Sequence, residues 1–284
     1  MDSKTPLVHS VLHPTDFSDA SHRAFAHALA ISLLRQTDLT ILHVSNEGAD
    51  DVDWTNLPQV RQTLERWKLL EPGTPRSEVF RKLRIDIHKF VVRSRSPSRA
   101  TIKFFDEQKH DLIVLATEGL DQGNKAWLHR SDAEAIARGS RAMTLFVPTR
   151  STRDLVAVSD GQLNLKNVLV PIDATINFDS AIEFACRAAE IIGDGDVTIT
   201  LLHVGEQFPT LPSLPNGSGW VTHTVLRQGE PVESILAASE EFTADLIVMT
   251  TNGRDTLNQA LWGSTTERVL RSANCPVLAV PDRL

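Results

Sequence analysis

Short runs of Val, Ile and Leu alternate along the chain with longer segments whose apolar residues recur every three or four positions. The runs LTILHV at 39–44 and DLIVLAT at 111–117 contain few polar residues, which is typical of parallel strands that are buried on both faces. Residues 19–35 place Ala24, Ala28 and Leu29 on one face of a helix. This alternation predicts an α/β protein that is built from βαβ units around a doubly wound parallel sheet.

The same order of segments occurs twice in the chain. The matching pairs are HPTDFS (13–18) with VPIDAT (170–175), LTILHV (39–44) with ITLLHV (199–204), DLIVLAT (111–117) with DLIVMTT (245–251), and TLFVP (144–148) with PVLAVP (276–281). An internal repeat indicates two copies of one structural unit, and 284 residues suit two domains. We predict tandem domains at residues 1–150 and 165–284, each with five parallel strands, and a linker at 149–166.

Several helix ends can be predicted from residues with known positional preferences. Helix starts are expected at Ser18, Pro97, Asp179 or Ser180, and Pro231. Gly193 stands where the helix at 181–192 should end. The last strand of each copy, at 144–148 and 276–281, is apolar and would be prone to aggregation as an open edge. We therefore expect these two strands to pair with each other.

The first copy is longer than the second. The His-Val pairs lie 160 residues apart and the DLIV runs 134 apart, so the first copy has 160 − 134 = 26 extra residues between them. Within this insertion, a helical spacing joins Leu57, Val60, Leu64, Trp67 and Leu70. We expect this apolar face to pack over the ligand edge of the first copy. The opposite face, with Arg61, Arg66 and Lys68, either offers a basic surface to a partner or acidic ligand, or is simply solvated.

Composition and charge narrow the classes of function. The net charge of −7 argues against a nucleic-acid coat, although residues 61–103 hold twelve Lys/Arg against four Asp/Glu. No apolar run reaches the length of a membrane span, and the first residues lack the pattern of a signal peptide. Cys186 and Cys275 are too few for a disulfide framework. We expect a cytoplasmic protein with no membrane or nucleic-acid partner.

Candidate ligand contacts lie where strands end. In an open parallel sheet, ligands bind beyond the carboxyl ends of the strands. Asp16 and Asp173 end the first strand of each copy, and Gly263-Ser264 precedes a helix predicted at 266–272. Free N–H groups and a hydroxyl at a helix N-terminus suit an anion, although a serine there can also be only a cap.

These motifs together resemble the universal stress protein (UspA) family. The resemblance rests on PTDFS at 14–18, on DLIVMTTNG at 245–253 followed, after nine intervening residues, by Gly263-Ser264, and on CPVLAV at 275–280. It implies Rossmann-like domains of the adenine nucleotide alpha hydrolase-like group that pair through their last strands. It also implies a stress-response binding protein that takes ATP or another adenine nucleotide, with magnesium accompanying it.

The resemblance also implies specific contacts in the second copy. Asp173 would bind the adenosine end, with Val204 beside the base. The phosphates would face Thr250, Gly253, Gly263, Ser264 and Thr265. Thr250 departs from the family pattern, which has glycine there. In the first copy Ala116 replaces that glycine and His129-Arg130 replaces Gly-Ser, so Asp16, Gly119 and Arg130 are weaker candidates. Any nucleotide is therefore expected in the second copy.

Other chemistry has less support in the sequence. No zinc spacing or nucleophile elbow is present, so we predict no metal site and no catalytic residue. His43 and His203 recur at one strand end and are expected to make structural hydrogen bonds. The alternatives to a nucleotide-binding regulator are a slow ATPase and a dimerisation scaffold that binds no nucleotide. The sequence pattern is also compatible with a homodimer.

Overall fold

A computed structural model describes residues 8–46, 52–117, 130–140, 142–149, 151–193, 195–214, 219–251 and 264–282. The chain divides into two compact units. Unit 1 comprises Met1–Ala142 and Val156–Gln162, and unit 2 comprises Met143–Leu155 and Leu163–Leu284. The domain boundaries at 1–150 and 165–284 stay a prediction. Near the repeat boundary, residues 143–155 belong to unit 2 and residues 156–162 to unit 1.

The described residues of unit 1 form four parallel strands in the order β3-β2-β1-β4. Its strands are β1 (Ser10–Pro14), β2 (Asp38–Ser45), β3 (Ile87–Arg93) and β4 (Leu112–Thr117). Its helices are α1 (Asp19–Arg35), α2 (Val60–Arg66), α3 (Arg76–Leu83), α4 (Pro97–Gln108) and α5 (Arg130–Ser140), with one 3-10 turn at Trp54–Asn56. Strands β1 and β4 are almost fully buried, as their uninterrupted apolar sequences predict.

In the described part of unit 2, five parallel strands lie in the order β10-β9-β6-β7-β8. They are β6 (Asn167–Ile172), β7 (Val197–Val204), β8 (Trp220–Arg227), β9 (Leu246–Thr251) and β10 (Val277–Pro281). The helices are α6 (Asp179–Ile192), α7 (Pro231–Glu241) and α8 (Ser264–Ser272). The doubly wound α/β fold predicted from the repeat is confirmed.

The last strand of the first repeat, β5 (Met143–Pro148), belongs to unit 2. It runs antiparallel to β10, with Leu145 opposite Leu278 and Thr144 opposite Ala279. All residues of both strands are buried. The predicted pairing of the two last strands is therefore confirmed.

Most predicted helix starts are confirmed. Ser18 caps α1, its Oγ accepting from the N–H of Ser21 at 3.2 Å, and α4 and α7 begin at Pro97 and Pro231. The predicted cap of α6 is wrong. Phe178 is the N-cap residue and makes no side-chain cap bond, while Asn177 Oδ1 accepts from the N–H of Asp179 at 2.9 Å.

The insertion of the first copy folds as α2 and α3 rather than as one helix. Its predicted apolar residues are all buried, and Trp67 is only 5% exposed. The hydrogen bond described for Trp67 does not reach the ligand edge, and residues 118–129 of that edge lie outside the described parts. Packing over that edge stays a prediction. Trp67 Nε1 donates to the carbonyl of Val158 at 3.0 Å, and Lys89 Nζ, in the middle of β3, donates to the carbonyl of Pro58 at 2.9 Å.

The predicted linker is divided between the two units, and each part is hydrogen-bonded within its own unit. In unit 1, the N–H of Val156 donates to Nε2 of the buried His27 at 3.3 Å. In unit 2, Arg153 donates to the carbonyl of Ser239 at 3.0 Å and to Glu240 at 2.6 Å. Across the part of the chain that the structure describes, none of the helices is long and apolar enough to cross a membrane.

Candidate functional site

A cavity of about 360 Å³ opens at the carboxyl ends of the strands in unit 2. Four predicted site residues line it together: Asp173, Val204, Thr250 and Thr265. They come from the end of β6, the end of β7, the end of β9 and the start of α8, which a parallel sheet brings to one edge. Pro231 and Ile235 of α7 supply an apolar side. The volume of the cavity lies within the range of small-molecule sites.

Asp173 is held in one orientation by its own loop. Its Oδ1 accepts from the N–H of Thr175 at 2.9 Å and from the Thr175 hydroxyl at 2.7 Å. This is an Asx turn, which aspartate forms readily after a strand. Among the described residues Oδ2 makes no hydrogen bond. Asp173 therefore offers one fixed carboxylate oxygen at the mouth of the cavity.

Thr250 carries a buried hydroxyl with unused hydrogen-bonding capacity. The residue is 5% exposed, and within the described part of the chain its Oγ1 has no hydrogen-bond partner. Leaving a buried hydroxyl unpaired costs about 1–3 kcal/mol, so such groups usually have a partner. Because Thr250 lines the cavity, a bound ligand is the natural source of that partner.

The first turn of α8 forms the end of the cavity beside Thr250. Thr265 and the buried Thr266 both line the cavity there. The first four N–H groups of a helix lack partners within the helix and favour an anion. Ser264 begins α8, but its side chain lies outside the described parts, as do the predicted residues Gly253 and Gly263.

His43 and His203 have the structural role predicted for them. His203 Nδ1 donates to the carbonyl of Ile172 at 2.9 Å, and His43 Nδ1 donates to the carbonyl of Thr15 at 2.8 Å. Each bond joins the second strand to the residue before the aspartate. Burial lowers the pKa of His43 against the opposing effects of Thr15 and Asp16. These histidines position the loops that carry Asp16 and Asp173.

Glu230 is a feature of the site that sequence reasoning missed. Its Oε2 accepts from the N–H of Glu233 at 2.9 Å, and its Oε1 accepts from Arg268 of α8 at 2.7 Å. The Glu233 N–H, followed by Arg268, lowers the pKa of Glu230. Glu230 thereby caps α7 and ties α8 to it beside the cavity. The glutamate before Pro231 was the only sequence signal for this contact.

The same edge of unit 1 differs in its polar groups. Asp16 forms the equivalent turn, its Oδ1 accepting from the N–H of Ser18 at 3.1 Å and from the Ser18 hydroxyl at 2.6 Å. Ala116 stands at the position of Thr250, so the orphan hydroxyl has no counterpart. Gly119 lies outside the described residues, and Arg130 begins α5 with a side chain that is not described.

Unit 1 also has a buried polar network behind this edge. His13 Nδ1 donates to the carbonyl of Val114 at 3.1 Å, and the Ser21 hydroxyl donates to Thr15 Oγ1 at 2.8 Å. Burial lowers the pKa of His13 to about 4, so this histidine is neutral near pH 7. Comparing the repeats residue by residue would have revealed the network, because the second copy has only Val170, Ile172 and Ala181 at these positions.

No other described cluster competes with this cavity for catalytic or metal chemistry. Within the described ranges, no group of three His, Cys, Asp or Glu residues is placed to hold a metal ion. Cys186 and Cys275 are free and buried. Burial raises their pKa values to about 11 and about 12. These two thiols are therefore poor nucleophiles.

Comparison with known proteins assigns the family. The family model described as the universal stress protein family matches residues 8–148 and 214–281, more than half of the chain. Universal stress protein MJ0531 of Methanocaldococcus jannaschii is 28% identical over 43% of this chain and 86% of its own. A universal stress protein of Archaeoglobus fulgidus superposes with a TM-score of 0.61, covering 96% of this chain and 98% of its own at 20% identity.

A functionally unknown protein of Pseudomonas aeruginosa, PA1789, has a TM-score of 0.63 at 14% identity and covers 96% of this chain and 92% of its own. At such identities the structural likeness shows the fold alone. The assignment rests instead on the family model, which matches motifs in both repeats. The chain belongs to the universal stress protein family.

Proposed function

We propose that this universal stress protein binds ATP or another adenine nucleotide in the unit 2 cavity and acts as a cytoplasmic binding protein. The observation that carries the proposal is the Thr250 hydroxyl. It is buried and unpaired among the described residues, and it lines the cavity that also gathers Asp173, Val204 and Thr265. A polar ligand would relieve the cost of that unpaired hydroxyl.

The cavity offers different chemistry at its two ends. Asp173 Oδ2 is a fixed acceptor suited to the hydroxyl or amino groups of an adenosine, and Val204 and Ile235 suit the apolar faces of a base. Thr250, Thr265 and the N–H groups at the start of α8 are donors suited to phosphate oxygens. Any magnesium would arrive with the nucleotide and take most of its ligands from phosphates and water.

The first experiment is to release bound ligand from the purified full chain with acid and identify it by chromatography. Calorimetry with ATP, ADP and AMP then compares the wild type with Asp173→Asn and, as a matched control, Asp16→Asn. Both aspartates form the same Asx turn. We expect Asp173→Asn to weaken binding about tenfold, the usual cost of losing one good hydrogen bond to a charged group.

Asp16→Asn should leave the affinity unchanged, because unit 1 lacks the hydroxyl donor at position 116. Equal losses in both variants would mean that unit 1 binds as well, and loss in Asp16→Asn alone would reverse the assignment. A chain that carries no nucleotide and binds none in calorimetry would favour a dimerisation scaffold. Phosphate release that depends on Thr250 and Asp173 would favour a slow ATPase.

A further inference from the structure

A second cavity lies in unit 1, far in sequence from any ligand-edge residue. It has a volume of about 400 Å³ and lies between α2, α3 and residues 85–89 at the edge strand β3. Its apolar residues include Val60, Phe80 and Ile87, and its charged residues are Arg61, Asp86 and Lys89. We call it the insertion groove, because the insertion of the first copy forms two of its sides.

The packing of α3 leaves its apolar residues partly uncovered. None of the residues whose side chains are described in α3 is fully buried, and Phe80 is 54% exposed. The second copy forms the same kind of sheet, and its described residues between β7 and β8 include no counterpart of α2 and α3. The exposed aromatic side of the groove is therefore not a requirement of the fold, and exposed apolar surface with a polar rim is typical of interaction sites.

The charge around the groove indicates the sign of its partner. Residues 60–89 hold eight Lys/Arg against four Asp/Glu, while the whole chain has a net charge of −7. Arg61 forms an ion pair with Glu65 at 3.6 Å, and its side chain is 56% exposed. Exposed pairs of this kind contribute little stability, so Arg61 can exchange Glu65 for a carboxylate on a partner at small cost.

We propose that the insertion groove binds an acidic peptide segment that places one large apolar side chain against Phe80. The apolar floor, with Val60 and Ile87, suits a hydrophobic anchor, and aromatic anchors contribute most to such interfaces. Carboxylates flanking the anchor would meet the basic residues that line the groove, Arg61 and Lys89. The floor formed by Val60 and Ile87 is aliphatic and suits an apolar peptide side chain, and single-stranded DNA is the competitor that tests for a nucleic acid instead.

The test uses the full chain and fluorescein-labelled peptides of about twelve residues, a length that spans a cavity of this size in extended form. The first peptide has Asp and Glu on both sides of a central Phe. In the second that Phe is Ala, and in the third the acids are Lys. Fluorescence anisotropy at low salt should show saturable binding of the first peptide, about tenfold weaker binding of the second, and none of the third.

Two pairs of variants locate the binding. Phe80→Ala should weaken binding of the Phe peptide about tenfold, whereas Leu69→Ala, which removes another exposed apolar side chain, should not. Arg61→Glu should weaken it several-fold at low salt, with a smaller effect at about 0.3 M NaCl. Lys103→Glu is the matched control, because Lys103 forms a similar exposed i,i+4 pair with Glu107 at 3.7 Å on α4.

Several results would overturn the proposal. They are no saturable binding of the Phe peptide, equal binding of the Phe and Ala peptides, equal losses in Leu69→Ala and Phe80→Ala, or equal losses in Lys103→Glu and Arg61→Glu. If single-stranded DNA competed as well as the peptide, the groove would bind polyanions in general rather than an acidic peptide with an apolar anchor. Unchanged thermal unfolding would show that the Phe80 and Arg61 variants remain folded, and unchanged calorimetry with nucleotides would keep this result separate from the unit 2 site.

Discussion

Thr250 is expected to affect the stability of the protein and its nucleotide affinity in opposite ways. Replacing it by Val keeps the shape and removes a buried, unpaired polar group, so the free protein should be as stable or more stable, by up to about 1 kcal/mol. Nucleotide affinity should fall about tenfold, because the ligand loses its hydrogen bond. Urea unfolding and calorimetry on the same preparation measure the two effects.

The matched control is Thr101→Val in α4. The Thr101 hydroxyl is also buried without a partner among the described residues, but it lies in unit 1 away from the cavity. Both variants should gain or keep stability, and only Thr250→Val should lose affinity. If Thr101→Val weakened binding equally, or if Thr250→Val bound normally, the Thr250 hydroxyl would not face the ligand.

His13 links the stability of unit 1 to pH. Its folded pKa of about 4 lies below the ordinary value of 6.5, so between these values the unfolded chain binds more protons than the folded one. Stability should be full above pH 6.5 and fall by up to about 3 kcal/mol as the pH drops towards 4. His43 and His110 add to the same trend, because burial lowers their pKa values too.

The His13→Val variant tests this dependence, since Val is the residue of the second copy at this position. Unfolding midpoints at pH 7.5 and pH 5 should differ less in the variant than in the wild type. A constant offset from the lost hydrogen bonds does not affect that difference. The same pH dependence in both proteins would assign the acid sensitivity to other groups.

At the scale of elements, the sequence pattern predicted the helices and strands that are determined by neighbouring residues. The helix at 19–35 and the strands with DLIV runs were predictable, because periodicity and capping act within a few residues. The position of the insertion was not, because Trp67 finds its hydrogen-bond partner 91 residues away at Val158. The orphan state of the Thr250 hydroxyl was equally hidden, since it depends on what surrounds the end of β9 in three dimensions.

The contact between the insertion and the linker gives a prediction at Gly161. This glycine has a φ of +75°, and an added Cβ would lie 2.5 Å from ring carbons of Trp67. Gly161→Ala should therefore combine backbone strain with a clash, and lower the free energy of unfolding by about 2–4 kcal/mol. Amide exchange in residues 156–162 should rise with it.

Gly73 provides the control, because its φ is +80° and an added Cβ would meet nothing within 4 Å. Gly73→Ala should lose only the strain, about 1 kcal/mol. The difference between the two variants isolates the contact with Trp67. Similar losses in both, with no change in exchange at 156–162, would mean that the linker is not docked on Trp67 in solution.

At the scale of the whole molecule, the main feature of the architecture is that the last strand of the first repeat lies in the second compact unit. β5 and β10 are short, apolar and fully buried, and either one left unpaired would expose an edge prone to aggregation. Their antiparallel pairing covers both edges at once. The pairing places the last strands of the two repeats side by side within unit 2.

That pairing can be tested by cross-linking in the full chain. Leu145 and Leu278 face each other directly, and cross-strand neighbours lie within the range of a disulfide. In a background with Cys186→Ala and Cys275→Ala, Leu145→Cys with Leu278→Cys should oxidise within one chain and raise the free energy of unfolding by about 2–4 kcal/mol. Thr144→Cys with Leu278→Cys should not oxidise, because one step in register turns the side chain to the other face. A disulfide that joins two chains on a non-reducing gel would show that β5 pairs with β10 of a second molecule, and cross-linking of both pairs would show that the register is wrong.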